Sequence, residues 1–137
     1  MRATLILADA AQVAEGKLYV LGGGWTFTGP APAPMAIGCL IDVPWDQTNR
    51  KIPFRIQLLD ADGEPAELAG AGRVDINGQF ETGRPAGLPP GSPITVPFAV
   101  NLGALPLQPG RRYEWRLTLD GETDDDWILP FNTRPSA

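Results

Sequence analysis

Apolar and polar residues alternate along most of this chain, and the period is that of strands with one buried face. In "RRYEWRLTLDG", Tyr113, Trp115, Leu117 and Leu119 point one way, while Arg112, Glu114, Arg116 and Thr118 point the other. A helix would scatter these residues around its axis, whereas a strand sorts them completely. The same pattern recurs in "TLILA", "KLYVL", "MAIGCLIDV", "PFRIQLLD", "GRVDING", "ITVPFAVNL" and "DWILPFNT". No long segment carries a helical period, although "DAAQVAEG" has room for a brief helical turn. The spacing predicts an all-β fold, an antiparallel β-sandwich of about eight strands, immunoglobulin-like or C2-like. Its core should contain Leu5, Leu7, Leu18, Val20, Ile37, Cys39, Ile41, Phe54, Ile56, Leu58, Val74, Ile76, Phe98, Val100, Tyr113, Trp115, Leu117, Trp127 and Phe131.

Punctuation between the strands agrees with this reading. The chain has Gly 16 and Pro 15 in 137 residues, spread between the apolar runs rather than clustered. Both residues break helices and favour turns. Three strands carry aliphatic-Pro-Phe: Ile52-Pro53-Phe54, Val96-Pro97-Phe98 and Leu129-Pro130-Phe131. Proline cannot donate to a ladder, so each of these prolines is expected at an edge, a strand start or a bulge. "TGPAPAPM" should be extended and exposed, and "ETGRPAGLPPGSP", from Glu81 to Pro93, is the longest irregular stretch. No linker divides the chain, so residues 1–137 are expected to form one domain.

Charge narrows the partners. The net charge is −5 and the largest basic cluster is Arg111-Arg112. Nucleic acid is bound chiefly by Lys and Arg that neutralise phosphates, so no nucleic-acid partner is expected. The opening "MRATLILADAA" imitates a signal peptide. Its apolar run, Ala3 to Ala8, falls short of the ~7–15 residues of such a segment, and Asp9 interrupts it. It reads as a first strand, and nothing approaches the ~20 apolar residues of a membrane span. A cytoplasmic protein is expected.

Candidate chemistry is sparse. "LGGGW", Leu21 to Trp25, begins like a phosphate-binding loop. Phe27 replaces the third glycine of a dinucleotide fingerprint, no lysine precedes Thr26, and "TFTGPAPAP" supplies no helix N-terminus. A strand exit that returns Trp25 to the core explains the glycines instead. Cys39 is alone and the chain has His 0, so neither a disulfide nor an activated thiol nucleophile is available. Ser92 and Ser136 are the only serines and lack a histidine as well. The acidic turns give the sharpest metal hypothesis: Asp60, Asp62, Asp120, Asp124, Asp125 and Asp126 could offer calcium its oxygen ligands from loop tips. Asp and Gly are also the usual residues of tight turns. Trp25 and Trp45 follow strand ends and are the tryptophans free to stack on a ligand, whereas Trp115 and Trp127 lie on core faces.

Two stretches resemble a known family. Leu7-Ala8-Asp9 followed by Gly16-Lys17-Leu18 is similar to the two-strand opening of an uncharacterised bacterial family of small cytosolic β-sandwich proteins. "LQPGRRYEWRLTLDGE" resembles the Pro-Gly-x-Tyr arm of that family and of many other sandwiches. The chain departs from the family at Gly22 to Gly24, where bulkier apolar residues are usual. The resemblance implies a domain of unknown function, and it transfers no functional residue. The expectation is therefore a non-enzymatic binding or assembly module without a cofactor. Its partner would be another protein or a second copy, met through an edge strand. Calcium-dependent ligand or membrane binding is the alternative, and a hydrolase or carbohydrate-related activity comes third.

Overall fold

A computed structural model describes residues 1–136. The strands are β1 (Arg2–Ala8), β2 (Ala10–Ala14), β3 (Lys17–Leu21), β4 (Phe27–Thr28) and β5 (Met35–Val43). They continue with β6 (Lys51–Leu59), β7 (Asp75–Glu81), β8 (Ile94–Leu102), β9 (Arg112–Leu119) and β10 (Ile128–Thr133). The smaller sheet has the order β1-β5-β8, the larger β4-β10-β9-β6-β7, and β2 and β3 pair only with each other. All ladders are antiparallel except the two-residue pairing of β4 with β10, which is parallel. No helix among the described residues is long and apolar enough to cross a membrane.

The two larger layers meet through the faces that alternation selected. Leu7, Met35, Ile37, Cys39, Ile41 and Val43 from the smaller sheet join Ile52, Ile56, Leu58, Trp115, Leu117, Leu119 and Phe131 from the larger in one buried cluster. Phe54 of β6 meets Phe98 of β8 edge-to-face at 5.1 Å, bridging the sheets directly. Burying each Ile, Leu or Phe fully is worth about 1.5–3 kcal/mol, so this shared layer is the main cohesive term. The prolines sit where the ladders tolerate them. Pro97 lies on the edge strand β8. Pro130 precedes the two residues of β10 that meet β4, and Pro53 lies one residue outside the β6–β9 ladder.

Two expectations need correction. The eight alternating segments all contain strands, but the described residues form ten. The additions are β4, too short to show a period, and β2, which occupies "DAAQVAEG" where a helical turn had room. Glu15 and Gly16 both have positive φ, 52° and 71°, the signature of the two-residue turn whose twist matches a hairpin. Ala10–Ala14 therefore turns straight back into Lys17–Leu21 as a β-hairpin. The second correction concerns the core. Leu18 is only half-buried and Val20 is 38% exposed, because both lie outside the sandwich, over the outer face of the smaller sheet. Alternation identifies a buried face without saying which layer covers it.

Glu15 occupies a left-handed conformation that asparagine tolerates far better. Glu15→Asn should stabilise the protein by about 0.5–1 kcal/mol in thermal or denaturant melts. A loss of stability would contradict the turn assignment.

Candidate functional site

"LGGGW" leads out of β3 and back toward β1. Gly22 and Gly24 have positive φ, 63° and 92°, and a Cβ on Gly22 would fall 2.2 Å from the Asp9 carboxylate. The Gly24 N–H donates to Leu7 O at 2.7 Å, and the Asp9 N–H is shared between Leu21 O and Gly22 O. The glycines thus fold the chain tightly against β1. Trp25 then turns inward and meets Phe131 edge-to-face at 6.0 Å. It is half-buried and packed against the core, as the strand-exit reading requires.

Trp45 is held on one side. The Arg84 guanidinium lies 4.1 Å from its ring centroid, donates to Trp45 O at 2.7 Å, and donates through Nε to Thr48 Oγ1 at 2.8 Å. A cleft of about 430 Å3 runs past Trp45, with Met1, Arg2, Asp42, Pro44 and Pro93 in its walls. Arg84 comes from the long irregular stretch, so the stack also pins that loop to the sandwich.

The six candidate metal ligands fall in three separate places. Asp60 accepts the N–H groups of Asp62 and Glu64 and so closes its own turn. Together with Asp62 it lines a cleft that also contains Arg111 and Arg112. Asp124 accepts the Asp126 N–H at 2.9 Å at the start of the short turn Asp125–Trp127, and both aspartates border a different cleft beside β1. Asp120 receives both Arg50 terminal nitrogens, at 2.7 and 3.2 Å. These hydrogen bonds hold its carboxyl below the ordinary carboxylate range. Among the described residues, no three His, Cys, Asp or Glu gather where one ion could be held. Cys39 is fully buried, and desolvation pushes its thiol up to about 12, far from the thiolate a nucleophile needs.

The surface that sequence reasoning missed lies on the other side of the smaller sheet. Register arranges its outward side chains in rows: Ala8–Ala36–Asn101, Ile6–Gly38–Ala99, Thr4–Leu40–Pro97 and Arg2–Asp42–Thr95. The hairpin lies across the first two. Ala11 of β2 meets Asn101, whose side-chain amide donates to Ala11 O at 2.7 Å and accepts its N–H at 3.2 Å. Leu18 and Val20 of β3 rest on Gly38, where a Cβ would come within 3.4 Å of both side chains. On β1 and β5 exposure rises from the hairpin-covered rows to the third, while Asn101 is exposed at the β8 edge. Ala8 and Ala36 are 0% exposed beneath the hairpin, whereas Leu40, one row further, is 38% exposed and Thr4 is exposed.

The sequence did carry a signal for this layer. "MAIGCLI" is apolar at every position, the mark of a strand buried on both faces, while alternation drew attention only to its odd-numbered residues. Exposed apolar side chains collect here as well. Val13, Tyr19, Val20 and Leu21 of the hairpin and Leu40 beneath its edge are all at least 38% exposed.

Asn101 takes both backbone groups of Ala11 at once. Asn101→Ala leaves them unpaired against the sheet and should cost about 1–3 kcal/mol in denaturant melts. A change below about 0.5 kcal/mol would mean that Asn101 does not hold the hairpin.

No curated protein matches the chain. One family description does, over residues 3–131. That span starts in β1 and ends in β10, so it takes in both sheets, the hairpin and the glycine exit. The chain therefore belongs to the family of unknown function DUF6941.

Proposed function

We propose that this protein is a non-enzymatic binding or assembly module, and that its contact surface is the β2–β3 hairpin together with the uncovered part of the smaller sheet. One observation carries the reading. Of the six large apolar side chains most exposed among the described residues, five lie on the hairpin or directly beside it: Val13, Tyr19, Val20, Leu21 and Leu40. The sixth, Phe27, is 50% exposed and stands alone on β4, with the Arg134 guanidinium 5.1 Å from its ring. Tyr19 and Leu21 lie on the outward face of the hairpin, and Val13 and Val20 on the face turned to the sheet that carries Leu40; single apolar residues are ordinary on a protein surface, whereas their collection on one element supports a contact site. By contrast, the outer face of the larger sheet carries charge and amide groups, with Arg55 and Asp75 joined at 2.6 and 2.8 Å and Asn77 beside them. That face is suited to solvent.

Site-specific photo-crosslinking in the native cells tests this. A photoreactive residue in place of Leu21 should give a discrete covalent adduct, weakened at least fivefold by adding Leu40→Asp. The same residue in place of Gln79, on β7, should give none. An adduct of twice the chain's mass would mean assembly of copies, and any other mass a different protein. No adduct, or equal adducts from both positions, would overturn the proposal.

A further inference from the structure

The hairpin carries an unused pairing edge, and its place over the smaller sheet defines what can use it. Because the turn has two residues, Ala14 and Lys17 form the hydrogen-bonded pair that closes it. Bonded and non-bonded pairs alternate in an antiparallel ladder. Gln12–Tyr19 and Ala10–Leu21 are therefore bonded as well, and the N–H and C=O groups of Ala11, Val13, Leu18 and Val20 point away from the hairpin. The bonds from Asn101 to Ala11 confirm that direction on the β2 side. On the β3 side no strand among the described residues pairs with Leu18 or Val20.

We propose that β3 accepts one extended segment of another protein as an added strand. This rests on the reading of the hairpin as the contact surface. An added strand would lie about 4.8 Å from β3, over the row Thr4–Leu40–Pro97, which follows the row that β3 already covers. Leu40 supplies an apolar floor, and β3 offers two donors and two acceptors from Leu18 and Val20. The segment needs about five residues, the length of β3, with small or aliphatic side chains at the positions that face Leu40.

Geometry excludes a second copy as the occupant. Two identical edges paired antiparallel are related by a two-fold axis normal to their sheet, which keeps both bodies on the same side. The second copy's smaller sheet would then occupy the space taken by this copy's Thr4–Leu40–Pro97 row.

Val20→Pro isolates the pairing. The Val20 N–H points away from β2, so proline there deletes an edge donor and leaves the hairpin ladder whole. Peptides selected from a display library of random heptamers against the full chain provide the probe. Selected peptides should slow hydrogen exchange at the Leu18 and Val20 amides at least tenfold. They should also bind Val20→Pro at least tenfold more weakly, with its melting temperature within a few degrees of the parent. Should Val20→Pro unfold, the exchange readout on the parent decides alone. Peptides that contact Leu21 and Leu40 without protecting those amides would overturn strand addition and leave the contact surface standing. Failure to select any peptide, or a two-copy complex through β3 seen by light scattering, would overturn the proposal too.

Discussion

A three-stranded sheet whose central strand, β5, is apolar on both faces over Met35–Ile41 is the constraint around which this molecule is organised. The inner face, from Leu7 through Ile37, Cys39 and Ile41, is covered by the larger sheet. The outer face, with Ile6, Ala8, Ala36, Gly38 and Leu40, would otherwise stand in water. The chain answers with its own hairpin, inserted between β1 and the return of Trp25 to the core. Small outward residues on β5 let that hairpin approach closely, and a Cβ on Gly38 would press against Leu18 and Val20. The Asn101 amide then fixes it by satisfying Ala11, whose backbone groups would otherwise be stranded between layers.

The cover is incomplete, and the binding proposal follows from that. A hairpin has two strands and shields two rows of the sheet, so the third row keeps Leu40 at the surface. On one hairpin edge Ala11 is bonded by Asn101, and the other edge meets no strand among the described residues. An open edge is a liability in a soluble protein unless it is blunted or used. Pro97 and Pro130 blunt the sandwich elsewhere, whereas β3 contains no proline and only one charge, Lys17 at its end.

Much of the sandwich was legible in the sequence. Eight strands followed from period two, and the roles of Trp115, Trp127, Phe131 and Cys39 followed from the faces on which they fell. The exit of "LGGGW" into a half-buried Trp25 packed on the core followed from missing lysine and glycine positions, and the structure adds the close contact with Asp9. The third layer was not read. Period two assigns Leu18 and Val20 to a buried face, but it cannot distinguish an inner face from an outer one covered by a hairpin. The Glu15-Gly16 turn was equally hidden, because Glu is a poor match for a position of positive φ. The acidic turns show the reverse: their composition suggested a shared ion, yet the fold gives Asp60, Asp120 and Asp124 separate partners. Loop composition carries no information about which loops meet.

The hairpin is clamped at Ala11 on its β2 side and, among the described residues, meets no strand on its β3 side. Residue-resolved amide hydrogen exchange on the free protein tests it most directly. The account predicts slow exchange at Ala11, Tyr19 and Leu21 and fast exchange at Leu18 and Val20, a strict alternation along β3. Uniform protection along β3 would mean that its edge is already covered, and uniform loss along the hairpin would mean that it does not rest on the sheet. Either result would contradict the account.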